Sequence, residues 1–417
     1  MRMKFNKSSQ LLLVSAASLL AAGLVTACAT LTVDFVFVTS AKAAGTNSYG
    51  QIDVFEINQE SGFMRQIPTS PFPSGGRNPI AEAVSSDQTN LYVVNQDDNS
   101  IVQFVIGNDG KVYPQNTVNT PGIFPMAVAV NGTTLYVVDT YQPLSTCSPA
   151  APCSGSIAVF PITVGSTSPP SDALGSPIAN GSLNYWPLGL PSSPGDIIVP
   201  TAVNVLASGA YVYVTAYDSS VTPHAGYVFA FATSSSGVLT PLNGGVPFPA
   251  GTQPSAIASD SSSSYVYVTD IANGDVMGFS VASGQLTPLS GSPFPAGNQP
   301  SAIAADPKYP FVYVANSLDD TVTAYSMSSG VLTRLGSYST GTQPVAIGID
   351  PSTNHFLYTA NFLGSGVNGT VSGFELNPTT GTLLNSQNSP YTANANPTAV
   401  AAIPHGSTQS SGTSSSK

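Results

Sequence analysis

One short pattern recurs along the whole chain: a β-branched or aromatic run around a central aromatic, closed by small or polar residues. It stands as FVFVTS (35–40), LYVVNQ (91–96), LYVVDT (135–140), YVYVTA (211–216), YVYVTD (265–270), FVYVAN (311–316) and FLYTAN (356–361). Such residues fit a pleated, buried sheet, and short runs bounded by Gly, Pro, Asn and Asp read as strands. The central aromatics are Phe37, Tyr92, Tyr136, Tyr213, Tyr267, Tyr313 and Tyr358, spaced 44 to 55 residues apart except for one gap of 77. A period of that length marks an array of stacked units, none of which buries both its faces alone.

Each run has a small-residue strand before it: IAEAVS (80–85), MAVAV (126–130), TAVNVL (201–206), SAIAS (255–259), SAIAA (301–305), VAIGI (345–349) and TAVAA (398–402). The last of these has no aromatic run after it, and the first aromatic run, at Phe35, has no small-residue strand before it. The two orphans complete each other, which predicts a ring closed by pairing of the C-terminal strand with the N-terminal unit. Turn glycines at Gly62, Gly110, Gly237, Gly284, Gly330 and Gly381 suit tight hairpins after the third strand. The expectation is all-β: a seven-bladed propeller of four-stranded antiparallel blades over residues 33–404. Only 7% of residues are charged, with 38 Gly and 35 Pro, which leaves little material for amphipathic helices and agrees with that class.

Outside the repeats, Arg2, Lys4 and Lys7 precede an apolar run from Leu11 to Val25 and then Val25-Thr26-Ala27-Cys28. This reads as a secretory signal over 1–27, too short in its apolar core to count as a membrane span. The four residues ending at Cys28 resemble the lipobox of bacterial lipoproteins, which implies lipidation of Cys28, a membrane anchor and a cell-envelope address, in the outer membrane or on the periplasmic face. The alternatives are a secreted chain and cleavage after Ala41-Lys42-Ala43, a site that would discard the strand VDFVFVT (33–39). The long gap predicts an insertion in the third blade, 140–199, with Trp186, the only Trp of the chain, beside Tyr185. It is a surface flap or a site for a protein partner. Cys147 and Cys153 lie there in TCSPAAPCSG and read as a disulfide in an exported chain, without further soft ligands for a metal. The tail, 405–417, is polar and of low complexity and is expected to be disordered.

The tetrapeptides YVTD (267–270), YVAN (313–316) and YTAN (358–361) resemble the YVTN-type repeats of bacterial propellers and the seven-bladed lactonase family related to 6-phosphogluconolactonase. The blade junctions SPFPAGNQPSAIAADP (292–307) and VPFPAGTQPSAIASD (246–260) are similar to that family's. The resemblance spans residues 33 to 404. It implies opening of a sugar lactone at the mouth of the central channel.

Blade geometry puts the strand-four-to-one links and the strand-two-to-three loops on one side. That places Arg77, Asn78, Gln253, Gln299, Gln343 and Asn396 around the entrance, with Asn316 and Asn361 among the polar residues further out. An acid or His to activate water and a cation or amide to hold an oxyanion are what lactone hydrolysis needs. Glu82, set in an otherwise small-residue inner strand, Asp270 and Arg77 are the candidates. A phosphosugar calls for clustered Arg or Lys, and the basic residues here are few and scattered, as are the three His. The acidic balance argues against nucleic acid, and no motif calls for a metal or cofactor. Two readings stay open: a monomeric, lipid-anchored surface propeller that binds a glycan or protein without chemistry, which is preferred, and a lactonase-like hydrolase.

Overall fold

Each of the seven aromatic runs is the second strand of an antiparallel sheet in the computed structural model, which describes residues 32–44, 49–58, 61–165, 172–351, 356–364 and 368–404. The predicted signal segment, Cys28 and the tail lie outside the described residues. Blade 6 shows the plan: Pro300–Ala305 innermost, then Phe311–Asn316, Thr321–Ser328 and Val331–Ser339 at the rim. Six sheets are each built from one stretch of chain. Blade 1 is composite: Pro397–Pro404 forms its inner strand and pairs with Thr32–Ala44, with Val36 opposite Ala402 and Val38 opposite Val400. The two orphan strands therefore close the ring, and the all-β seven-bladed architecture holds.

The core is not central. It lies in seven layers among the described residues, each shared by two neighbouring blades. Phe37 packs with Leu91 and Phe104 between blades 1 and 2, Tyr267 with Val312 and Tyr325 between blades 5 and 6, and Val36 with Phe356 and Tyr358 between blades 7 and 1. All seven anchoring aromatics are at most 1% exposed. Burying one such ring stabilises by roughly 2–3 kcal/mol, so the repeated aromatic is what makes blades adhere. Its hydroxyl has a fixed use in three blades: Tyr213, Tyr267 and Tyr313 donate to the carbonyls of Gly284, Gly330 and Gly381 in the following blade, at 3.1, 2.8 and 3.1 Å. Those glycines have φ of 77°, 82° and 69°, as the hairpin requires. At the closure the partner changes, and Tyr358 donates to the buried Asp34 at 3.0 Å.

The stretch 140–199 divides in two. Ser156–Thr163 is the third blade's own third strand, pairing with Thr134–Tyr141, and Ala173–Leu174 is a minimal fourth strand. The additional chain is the loop 142–155, which carries the Cys147–Cys153 disulfide with Cα atoms 5.5 Å apart, and the segment 175–197. Trp186 in the latter is 3% exposed and donates its indole N–H to the Leu239 carbonyl at 2.9 Å, so this part is packed onto blade 4.

All inner strands run the same way, so one side of the ring carries the links into them and the strand-two-to-three loops. That side is the mouth. Asp34 faces Pro404 in the closing pair, which puts both described chain ends on the opposite side, the back. Among the described residues no helix is long and apolar enough to cross a membrane.

Candidate active site at the channel mouth

In blades 3, 5 and 6 the loop entering the inner strand is held by an Asp or Asn near the end of strand two of the same blade. In blade 5 the buried Asp270 accepts from the backbone N–H of Thr252 and Gln253 at 2.5 and 3.1 Å and of Ala272 and Asn273 at 3.0 and 3.3 Å. A Cβ at Gly251, whose φ is 75°, would stand 2.2 Å from the Asp270 carboxylate, so only glycine lets the link approach. Equivalent residues do the same work: Asp139 accepts from Gly122 N–H at 3.2 Å, and Asn316 from Gly297 N–H at 2.9 Å. Asn316 also donates to Thr323 at 2.9 Å, and Asn361 to Thr370 and Ser372 at 3.1 and 3.0 Å. Asp270, Asn316 and Asn361, expected at the site, are fully buried and bound to their own blades. They shape the mouth without facing a ligand. Replacing Asp270 by alanine strands several backbone donors and is expected to lower stability by about 2–3 kcal/mol, read as a fall in the melting midpoint, with Asp270→Asn losing less.

Arg77 stands at the entrance and is engaged. Its Nε and backbone N–H each donate to the Asp98 carboxylate at 2.7 Å, its Nη2 lies 2.6 Å from the same group, and its side chain is half exposed. Partial burial would raise the Asp98 carboxyl, but Arg77 outweighs it and holds that group below the ordinary carboxylate range. Asp97 accepts from Asn78 Nδ2 at 3.1 Å, Asp319 from Asn298 N–H at 2.6 Å, and Asp320 from Gln343 N–H at 2.7 Å. The acid pairs of the rim thus cap the loops that cross from blade to blade. Among the described residues no group of three His, Cys, Asp or Glu is placed to hold a metal ion.

Glu82 occupies a position that other blades fill with Val128, Val203, Ile257, Ile303, Ile347 and Val400. Those residues turn into the layer shared with the preceding blade, and Glu82 does likewise, meeting blade 1 at the closure: Thr39 Oγ1 donates to its Oε2 in a short hydrogen bond, and the backbone of Ala401 and Thr39 adds to it. Its Oε1 is buried with no partner. Burial is what raises its carboxyl to about 8, and the three hydrogen bonds only moderate it. At neutral pH it is chiefly a protonated acid. Glu82, Arg77 and Asp270 are therefore three separate sites, held respectively by blade 1, by Asp98 and by the link of blade 5.

The amides fare differently. Asn78 donates to Gln96 at 3.0 Å and Asn396 to the Phe362 carbonyl at 2.9 Å. The side chains of Gln253, Gln299 and Gln343, in three consecutive blades, form no hydrogen bond to the described residues and are partly or fully exposed. Gln253, Asn273, Asn298 and Gln299 line a depression of about 390 Å³ with Ile271 and Leu318 at its side. His224, which the sequence left without a side, lies on the strand-two-to-three loop of blade 4 and hence on the mouth. His355 lies outside the described residues.

The chain matches the family model described as "Lactonase, 7-bladed beta-propeller" over residues 44–164 and 227–401, the unmatched gap holding the segment 175–197 and the start of blade 4. Curated protein sequences provide no match. Among solved structures it is similar to a candidate 6-phosphogluconolactonase from Bacteroides fragilis (20% identity, 90% of this chain and 99% of that one, TM-score 0.67) and one from Bacteroides uniformis (17%, 89% and 100%, 0.69). It is also similar to the periplasmic gluconolactonase of Pseudomonas aeruginosa (19%, 89% and 99%, 0.66). At these identities the structures speak for the fold, and the family model, matched over most of the chain, carries the assignment: this protein belongs to the seven-bladed β-propeller lactonase family.

Proposed function

We propose that the mouth of the ring binds a neutral, polyhydroxylated ligand of the sugar-lactone or glycan class, and that binding without hydrolysis is its role. The observation that carries this is the row of uncommitted side-chain amides, Gln253, Gln299 and Gln343. Each offers a donor and an acceptor, the pairing that vicinal hydroxyls require, beside a depression within the size range of small-molecule sites. The acid, the cation and the base that hydrolysis would use stand apart. Calorimetric titration of the purified protein with glucono-δ-lactone and neutral mono- and oligosaccharides is expected to detect a ligand, and Gln299→Ala to weaken it about three- to tenfold, one hydrogen bond's worth. No binding across the set, or binding untouched by all three Gln→Ala changes, defeats the reading.

A second reading, lactone hydrolysis, draws on the family membership, on the gluconolactonase activity named for the Pseudomonas aeruginosa protein, and on Glu82 as a proton donor in the channel wall. A pH-stat rate above the spontaneous one, lost in Glu82→Gln with the fold intact, establishes it in place of the first. For the address, we propose export and anchoring at Cys28. A Cys147–Cys153 disulfide suits an oxidising compartment. Cys28→Ser is expected to move the protein from the membrane fraction to the soluble one, and unchanged fractionation counts against the anchor.

A further inference from the structure

Four half-buried rings run across the mouth side of blades 3 and 4, and the amide row makes no use of them. Phe124 sits just before the inner strand's Pro125, Tyr141 ends strand two of blade 3, and Tyr217 and His224 flank the turn after strand two of blade 4. Phe124 and Tyr141 meet edge to face, centroids 6.2 Å apart and planes at 70°. Tyr217 and His224 lie 5.0 Å apart at 35°. The two pairs adjoin: burial first, and then the neighbouring Tyr141 hydroxyl, push the Tyr217 hydroxyl upward.

Phe124 is the telling member. Its φ is 57°, a left-handed conformation that a bulky side chain rarely adopts. In three of the other blades the same position, one residue before the inner-strand proline, holds Asn78, Gln299 and Gln343 with φ of 50°, 52° and 57°. An amide therefore satisfies this backbone, and Asn does so with the least strain. Phe124 is instead fixed by two side chains: Asn99 Oδ1 accepts from its N–H at 2.8 Å, and Thr140 Oγ1 donates to its carbonyl at 2.7 Å. A bulky ring kept on a backbone that suits an amide, and held from both sides, points to use of the ring. Polar groups stand alongside: Gln96, which accepts from Asn78, lies 2.9 Å from Met126 Sδ, two residues along from Phe124.

We infer that Phe124, Tyr141, Tyr217 and His224 form a stacking shelf for a neutral oligosaccharide, so that the ligand at this mouth is a chain of at least two sugar rings and not a free monosaccharide. The electron-rich face of an aromatic ring takes up the positive C–H face of a pyranose, while the hydroxyls at the sugar's edge meet amides such as Asn78 and Gln96. Two ring pairs on successive blades offer places for successive sugars. The acidic chain, with Asp97 and Asp98 close by, disfavours uronic or phosphorylated sugars. This rests on the proposal that the mouth is a sugar site.

The test titrates the full mature protein with cellotetraose, laminaritetraose, maltotetraose and chitotetraose, and with the matching monosaccharides and glucono-δ-lactone. At least one tetrasaccharide is expected to bind tenfold or more tightly than its monosaccharide. Phe124→Asn and Tyr217→Ala are each expected to weaken the tetrasaccharide about five- to tenfold and leave the monosaccharide unchanged. Phe124→Asn should also melt no lower than the parent, since the new residue suits the backbone. If it fails to fold, Tyr217→Ala decides. Equal affinity for short and long sugars, or tetrasaccharide binding indifferent to both changes, overturns the shelf while a Gln299-dependent monosaccharide leaves the mouth reading standing. Absence of all sugar binding removes both. Binding of tetramethylammonium that needs the same rings, with no sugar bound, reassigns them to a cation and overturns the inference.

Discussion

A chain ending at Asn396 is expected to yield no monomeric folded propeller. The residues lost include Pro397–Pro404, the inner strand of blade 1, and without them Asp34 to Ser40 become an unpaired edge. Val400, Ala402 and Ile403, each at most 8% exposed, leave the layers on both sides of that blade. Their loss exposes Val36, Phe37 and Val38 along a flat apolar strand, the kind of edge that recruits other chains. No other segment can substitute, because every other blade uses its own inner strand. Size-exclusion chromatography is expected to show aggregate or expanded chain, and circular dichroism no cooperative melt. A truncated monomer melting within about 5 °C of the parent would show that closure is dispensable.

Stability is expected to fall as pH rises from about 4 to about 8, opposite to the common behaviour of salt-bridged carboxylates. Asp34 and Glu82 are raised to about 8 and Asp139 to about 7, burial being the leading cause in each. For Asp34 the charge of Asp350 adds to burial and the Tyr358 hydroxyl opposes it. A carboxyl whose folded pKa lies above its unfolded one binds its proton more tightly when folded. Its contribution is complete below the unfolded value near 4 and is lost as pH climbs through the folded value. Asp34 and Asp139 are fully buried and contribute on the order of 2–4 kcal/mol each, and the buried Glu82 carboxyl acts in the same direction. Urea denaturation at pH 5 and pH 8.5 is expected to differ by several kcal/mol. Glu82→Gln should remove part of the difference by gaining stability at the higher pH, with little change at pH 5. Flat or rising stability over that range would contradict it.

The scaffold was legible because its determinants are local. Phe37 and its six counterparts announce buried strands by composition, Gly330 and its kin mark hairpins by their backbone freedom, and the two unmatched strands imply closure by counting. Blade 3 was harder to read. Its third strand, SIAVFPIT from Ser156, has the right alternation, but the Pro/Ser-rich stretch STSPPS (166–171) after Gly165 interrupts the step to a fourth strand, so it merged with the insertion around it. Side-chain commitments were not legible, since they depend on contacts across blades. Nothing near Glu82 names Thr39 or Ala401 as its partners, and nothing near Arg77 says that Asp98 will hold it. Asp139, Asp270 and Asn316 look like ligands in a string of letters, and they prove to be the pins of the incoming links. The shelf had one trace in the sequence, Phe124-Pro125 where five other blades have Gln-Pro or Asn-Pro, and its meaning needed the left-handed backbone to appear.

The closing pair of strands also decides how the molecule meets its surroundings. The chain enters the ring before Asp34 and leaves it at Pro404 together, on the back. Any tether at either terminus therefore grips the disc from behind, and a short one leaves the disc free to rotate while the open side continues to look outward. Reach can be changed by lengthening such a tether, at about 3.3–3.6 Å per extended residue, without altering which side is presented.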